Sequence, residues 1–141
     1  MDKKFLRVGN YLLNEYNDRI NYAMVVKVRD SGKLTIRIEQ KGDLYFNVSP
    51  VLSKISSIAI NKEWLESFGF MLMPETEYTL NTYELNGFKV WDKKGDFSEV
   101  VYLTNHMSVV IKGVHHLQNL YYELFQEQLQ LKDGTLVTLR V

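Results

Sequence analysis

Histidine is the most versatile catalytic and metal-binding residue in this chain, and two of its three histidines, His115 and His116, are adjacent. Both fall in a predicted helix over Val114–Gln126, where neighbouring side chains point about 100° apart. Helical metal ligands are usually spaced i, i+4, and His106 is the one further imidazole. The chain has no cysteine, which excludes thiolate ligands and thiol nucleophiles. We therefore expect no metal and no other cofactor.

Hydrolytic chemistry has little support in the sequence. Ser108 lies close to His106, but no G-x-S-x-G turn surrounds it. The acidic pair Glu75 and Glu77 has an ordinary explanation in a loop, and no glycine-rich phosphate loop occurs in the chain. The sequence predicts that the protein is not an enzyme. An enzyme whose catalytic residues escape motif analysis is an open alternative.

The predicted helix pairs an apolar face with an uncharged polar face. The apolar residues recur at helical spacing: Leu117, Leu120, Tyr121, Leu124 and Phe125. The opposite face carries His115, Asn119, Tyr122 and Gln126. Exposed helix faces are usually charged, whereas contact surfaces are depleted in charge and enriched in tyrosine. We expect another subunit or a partner to cover this face, and we expect replacement of Asn119 and Tyr122 by glutamate to leave the fold intact.

Binding is the chemistry that remains, since cations and aromatic rings occur together on predicted strands. The cations are Arg7, Arg29, Arg37, Lys89 and Lys112, and the aromatic neighbours are Tyr11, Tyr45 and Trp91. Such a surface can hold a nucleotide-like ligand without a phosphate loop. A simpler explanation is that these cations solvate the outer faces of sheets. The predicted binding residues are Arg7, Tyr11, Trp91, His115, Asn119 and Tyr122.

Composition limits the partners of the chain. Lys plus Arg and Asp plus Glu number 17 each, which makes a nucleic-acid partner a poor fit. The apolar runs are far shorter than the roughly 20 residues of a membrane span. We therefore expect neither nucleic acid nor a membrane as partner, and the lack of cysteine is compatible with a reducing cytosol. The 141 residues predict one domain, 1–141, with two sub-lobes at 1–50 and 61–141.

The elements that position these residues begin with short strands. The predicted strands are Leu6–Leu13, Tyr22–Arg29, Leu34–Glu39 and Leu44–Ser49, with a loop at Asn14–Asn21. They predict an antiparallel meander or an SH3-like small barrel. A short helix follows, with Asn61 as its N-cap and Gly69 at its C-terminal end. Because so short a helix needs docking to persist, Trp64 should be buried.

A second antiparallel region and a helix complete the predicted fold. Its strands are Tyr78–Leu85, Phe88–Trp91, Phe97–Leu103 and Met107–Lys112, and a further strand is predicted at Thr135–Val141. Asn86-Gly87 predicts a tight hairpin turn with positive φ at both residues. The helix over Val114–Gln126 should pack on the sheet. The predicted fold class is α+β.

Three motifs occur in a fixed order along the chain. They are L-R-V-G-N at Leu6–Asn10, W-L-E-S-F-G-F at Trp64–Phe70 and H-L-Q-N-L-Y-Y at His116–Tyr122. This order resembles a family of small uncharacterised proteins of Bacteroides-group bacteria and their phages, with the patterns L-R-I-G-N, W-L-x-x-F-G-F and H-x-L-Q-N-L-Y-F. The resemblance extends from Leu6 to about Leu129. It departs after the last helix, where the family often has a Thr-Gly step and this chain has Phe125-Gln126.

The resemblance implies a phage or mobile-element protein that acts inside a bacterial host cell. The sharpest hypothesis adds to this context the small size of the chain, its many aromatic residues and the lack of a catalytic constellation. It is a counter-defence protein that sequesters a nucleotide-derived immune signal, as a homo-oligomer with pockets at subunit interfaces. One alternative is an interaction module that blocks or tethers a host or virion protein. The enzyme named above is the second alternative.

Overall fold

The structure is a computed structural model, and it describes residues 5–39, 45–51 and 54–132. The predicted strand Thr135–Val141 lies outside the described residues. The described chain forms two five-stranded antiparallel sheets, a short helix and a longer helix. The predicted α+β fold class is confirmed.

The first sheet is an antiparallel meander with one added edge strand. Its strands are β1 Tyr11–Tyr16, β2 Arg19–Val28, β3 Leu34–Glu39, β4 Tyr45–Val48 and β5 Ile55–Ser56. They lie in the order β4-β3-β2-β1-β5, so β4 and β5 are the edges. The predicted meander is confirmed. The barrel is not formed by the described residues, because the two edge strands do not pair.

The position of β1 corrects two predictions. The strand begins at Tyr11 and not at Leu6, and the predicted loop at Asn14–Asn21 is a hairpin. Asn17 and Asp18 form its two-residue turn, with φ of 51° and 59°, and the strands pair on both sides of it. Positive φ at both central residues matches the twist of a hairpin, and asparagine and aspartate tolerate that conformation.

The second sheet contains the predicted Asn86-Gly87 turn. Its strands are β6 Met71–Leu72, β7 Thr82–Leu85, β8 Phe88–Asp92, β9 Val100–Leu103 and β10 Ser108–Val110. They lie in sequential order, with β10 and β6 at the edges. Asn86 and Gly87 join β7 to β8 with φ of 52° and 85°, which confirms the predicted tight hairpin.

Replacing Gly87 by valine should lower the free energy of unfolding by about 1 to 3 kcal/mol, because a β-branched residue is strained at positive φ. A Cβ at this position would meet nothing within 4 Å, so the effect isolates backbone strain. Urea denaturation measures it. Lys89→Val is the matched control, since Lys89 is exposed on β8 and valine suits a strand. If Gly87→Val and Lys89→Val had the same free energy of unfolding, the turn would not hold residue 87 at positive φ.

The first helix, α1, spans Lys62–Ser67 and is held by its caps and by its buried face. The Asn61 side chain accepts a hydrogen bond from the Trp64 backbone N–H at 2.9 Å, as an N-cap does. Gly69 has φ of 97°, and its N–H donates to the Glu66 carbonyl just beyond the helix. Trp64 is 1% exposed, so its predicted burial is confirmed.

The second helix, α2, spans Val114–Phe125 and docks where the two sheets meet. Leu117 and Tyr121 lie in one hydrophobic cluster with Trp64 of α1, Phe88 of β8 and Tyr11 of β1. A separate apolar cluster fills the other side of the first sheet: Leu6, Leu12, Ala23, Val25, Leu34, Ile36, Ile38 and Ile55. The predicted packing of this helix on the sheet is confirmed. The apolar face of α2 packs in the core, and the polar face is therefore held beside residues 5–10.

Candidate functional site

Two of the sequence motifs meet in space, because residues 5–10, here called the N-terminal segment, lie along α2. Gln118 accepts a hydrogen bond from the Tyr11 backbone N–H and donates one to the Gly9 carbonyl, each at 2.9 Å. Asn119 donates to the Phe5 carbonyl and accepts from the side-chain amide of Asn10, also at 2.9 Å. The L-R-V-G-N and H-L-Q-N motifs thus form one hydrogen-bonded unit.

The N-terminal segment is tied to the first sheet as well as to the helix. Gly9 N–H donates to the Val25 carbonyl, and Val25 N–H donates to the Asn10 carbonyl, both at 2.8 Å. The Asn10 side chain also accepts from the Arg7 backbone N–H at 2.8 Å. Gly9 has φ of 94°, and a Cβ there would lie 2.7 Å from the side-chain oxygen of Gln128. These contacts explain why this motif requires a glycine and an asparagine side by side.

Arg7 projects from the N-terminal segment onto an aromatic ring. Its guanidinium carbon lies 3.5 Å from the centroid of the Tyr122 ring. A guanidinium can stack on a ring through its face while the N–H groups at its edge stay available to an anion. The structure therefore holds a positive charge in a defined place beside α2.

A cavity of about 410 Å³ lies between the N-terminal segment and α2. Its lining residues are Phe5, Leu6, Arg7, His116, Asn119, Leu120 and Glu123. This volume falls within the range of roughly 300–1,000 Å³ that is usual for small-molecule sites. The lining combines an apolar wall with a few polar groups, as such sites generally do.

Three polar side chains of the cavity are available to a ligand. His116 accepts from the Lys112 backbone N–H through Nδ1 at 3.0 Å, so its neutral ring carries the proton on Nε2. Burial and the nearby charge of Lys112 lower the pKa of His116, which keeps the ring neutral. The Asn119 amide is already engaged on both sides. Arg7, His116 Nε2–H and the Glu123 carboxylate remain.

His115 does not line the cavity, and it is buried, with 8% of its surface exposed. Its buried Nδ1 has no hydrogen-bond partner among the described residues. Burial, together with the neighbouring His116, lowers the pKa of His115 to about 4. The imidazole is therefore neutral near pH 7.

The stability of the protein should fall as the pH falls from 6.5 toward 4. The pKa of His115 is about 4 in the folded chain and 6.5 ordinarily, so the unfolded state binds the proton first. The contribution of neutral His115 to the free energy of unfolding is complete above pH 6.5 and is lost toward pH 4. After allowance for solvent screening, this loss lowers the free energy of unfolding by about 1 to 2 kcal/mol. Urea denaturation at several pH values measures this slope.

The His115→Gln variant separates this effect from general acid denaturation. Its unfolding free energy should depend less on pH than that of the parent in this window. The matched control is His106→Gln, which makes the same substitution at an exposed histidine outside α2. Parallel slopes for the parent and His115→Gln would contradict the assignment.

The structure brings together part of the predicted binding set. Arg7, Asn119 and Tyr122 meet at the N-terminal segment, and His115 lies buried beside them. Tyr11 is buried in the core against Trp64 and Phe68, with ring centroids 5.6 and 6.1 Å apart. Trp91 lies on β8 in the second sheet, and it does not line the cavity. The role of these residues in binding is still a prediction.

The polar face of α2 needs a correction. We predicted a face covered by another molecule, but the N-terminal segment of the same chain contacts Asn119 and Tyr122, His115 is buried, and Gln126 is exposed. Replacing Asn119 and Tyr122 by glutamate should therefore disturb the fold, because Asn119 holds the Phe5 carbonyl and the Asn10 side chain.

Three cavity residues on α2 were not predicted, although a spacing rule finds them. They are His116, Leu120 and Glu123, which with the predicted Asn119 occupy i, i+3, i+4 and i+7 and so share one face of α2. Applying the i, i+3, i+4, i+7 spacing from His116, in addition to the spacing from Leu117, predicts that these four residues share a face. Phe5 and Leu6 carry no such signal, because only the tertiary fold brings them to the helix.

No protein-family model matches the chain, and neither a curated protein nor a solved structure is significantly similar to it. The resemblance described above is therefore still a prediction. Within residues 5–39, 45–51 and 54–132, no group of three His, Asp or Glu side chains is placed to hold a metal ion. Neither described helix has the length and apolar character that crossing a membrane demands.

Proposed function

We propose that the protein is a non-enzymatic binder of a small, nucleotide-like anion, held between the N-terminal segment and α2. The observation that carries this proposal is the cavity of about 410 Å³ in which Arg7 is fixed against the Tyr122 ring. A fixed guanidinium loses little freedom when it binds a phosphate or carboxylate, and it offers two parallel hydrogen bonds.

The other lining groups suit the remaining parts of a nucleotide. His116 offers a neutral Nε2–H as a second donor. Glu123 accepts from an amino group or a sugar hydroxyl, and it repels an anion placed beside it. Phe5 is 67% exposed at the rim, where its ring offers a face on which a base can stack. The cavity thus favours one anionic end and one hydrogen-bonding, aromatic end.

Binding fits the lining better than catalysis does. No serine, threonine or aspartate is among the residues that line the cavity. Nδ1 of His116 is occupied by the Lys112 backbone N–H, so only one ring nitrogen faces a ligand. A nucleophile that shares a proton with a histidine base, which acyl transfer and many hydrolyses use, is therefore not found among these lining residues.

A thermal-shift screen tests the proposal directly. The probes are cyclic dinucleotides and ADP-ribose derivatives, added to the parent chain and to Arg7→Gln. We expect at least one probe to raise the melting temperature of the parent, and Arg7→Gln to lose that rise. Arg19→Gln is the matched control, since Arg19 is exposed at the start of β2 and does not line the cavity. A rise that Arg7→Gln retains would place the ligand elsewhere.

Recovery of the ligand distinguishes a binder from an enzyme. The complex is denatured and the released probe is analysed by mass spectrometry. An intact probe at one equivalent supports sequestration, whereas a hydrolysed probe contradicts it.

The sequence resemblance supplies the biological context of the proposal. The proposed protein is a phage or mobile-element product in the cytoplasm of a bacterial host, where it sequesters a nucleotide-derived immune signal as a homo-oligomer. Light scattering of the purified chain tests the oligomer. Mass spectrometry of ligand released from protein purified from its native host tests the signal.

A further inference from the structure

The edge of the second sheet at β6 exposes large apolar side chains. Met71 and Leu72, which form β6, are 74% and 56% exposed. In the connection to β7, Tyr78 is 86% exposed and Leu80 is 50% exposed. We call Met71–Leu80 the β6 edge. So much apolar surface on one short segment is typical of a contact site.

The backbone of β6 has hydrogen-bonding groups that point outward. Met73 N–H donates to the Thr82 carbonyl at 2.8 Å, and Leu72 is opposite Tyr83. Bonding toward a neighbour alternates along an antiparallel strand, so the Leu72 N–H and C=O point away from β7. No strand of the described residues pairs with this side of β6. The edge therefore offers a donor and an acceptor to an added strand.

The charge around this edge is one-sided, although the chain as a whole is neutral. Residues 63–88 contain five glutamates and no Asp, Lys or Arg: Glu63, Glu66, Glu75, Glu77 and Glu84. Glu84 is opposite Met71 in the ladder. Burial raises the pKa of Tyr83 on β7, and the Glu66 carboxylate adds to the rise, which places α1 beside the same strands. Glu66 is already paired with Lys62 at 3.8 Å, and Glu84 is opposite Lys89. The exposed carboxylates that a partner meets beside β6 without an ion pair among the described residues are therefore those of Glu75 and Glu77.

We infer that the β6 edge binds an extended, basic segment of another protein, which adds to the sheet as a strand beside β6. The outward N–H and C=O of Leu72 supply main-chain bonds, and Met71 and Leu72 supply apolar contacts. Lysine or arginine side chains of the partner pair with Glu75 and Glu77. A second copy of this chain fits poorly, because symmetric pairing of the two edges sets the same carboxylates against each other.

Fluorescence anisotropy with short labelled peptides tests this inference on the full chain. One peptide alternates lysine with valine, and a second of the same length alternates glutamate with valine. We expect the basic peptide to bind and the acidic peptide not to bind. Reversing charge with Glu75→Lys and Glu77→Lys should weaken the basic peptide by roughly tenfold or more, because attraction becomes repulsion. Binding of both peptides alike would overturn the inference.

Two controls keep the result specific. Asp30→Lys with Glu127→Lys makes the same charge change at exposed positions away from β6 and should bind the basic peptide nearly as the parent does. Leu72→Pro removes the outward N–H together with the leucine side chain, and it should weaken binding without any change of charge. Equal binding by parent and Glu75→Lys/Glu77→Lys contradicts the site. Sedimentation that shows a dimer abolished by Leu72→Pro assigns the edge to a second copy instead.

Discussion

Replacing Trp64 by alanine should lower the free energy of unfolding by about 3 to 5 kcal/mol, since a large buried ring would leave a cavity. The indole is 1% exposed, and its ring centroid lies 5.3 Å from Tyr22 and 5.6 Å from Tyr11. Its buried ring N–H has no hydrogen-bond partner among the described residues, so packing is what the variant loses. Urea denaturation followed by circular dichroism measures the loss.

Trp91→Ala is the matched control for this experiment. Trp91 is half-buried on β8, so its replacement leaves a smaller cavity. It should lower the free energy of unfolding by about 2 kcal/mol or less. A loss below about 1 kcal/mol for Trp64→Ala would mean that Trp64 faces solvent, and that α1 does not depend on it.

Replacing Gln118 by methionine should lower the free energy of unfolding by about 2 to 4 kcal/mol, because methionine fills a similar space but makes neither hydrogen bond. Gln118 is 6% exposed, and its amide joins the Tyr11 N–H to the Gly9 carbonyl. The variant should also increase hydrogen exchange at residues 9–11, since the N-terminal segment loses its attachment to α2.

Gln130→Met is the control for the chemical change itself. Gln130 is exposed, so the same substitution there should alter stability by no more than about 0.5 kcal/mol. If Gln118→Met were as stable as Gln130→Met, the N-terminal segment would be held by its apolar contacts and the amide bonds would be incidental.

Local chemistry explains which parts of the fold the sequence predicts. Asn61 caps α1, and the Asn86-Gly87 turn joins β7 to β8, because each signal acts within a few residues. Asn17-Asp18 makes the same kind of turn without glycine, and so it was predicted as part of a loop. The start of β1 was also placed too early, because its register depends on β2 and β5.

The candidate site was less predictable because it depends on contacts between distant residues. Arg7, Asn119 and Tyr122 were chosen from their residue types, and the fold brings them together. The sequence predicts that another molecule covers the face containing Asn119, since nothing near α2 in sequence indicates that Phe5 lies on it. Glutamine and asparagine suit either a contact surface or a buried bond to the backbone, and only the tertiary fold decides between them.

The hydrogen bond from Gln118 to Gly9 spans 109 residues, and the one from Tyr11 to Gln118 spans 107. Closing so long a loop has an entropic cost that must be met before these bonds contribute, so contacts of this separation tend to form late in folding. Both sheets consist of neighbouring strands in sequence, apart from β5, and they can form without this closure. The cavity is consequently a property of the completed fold. A ligand bound there selects the fully folded chain and raises its population by mass action.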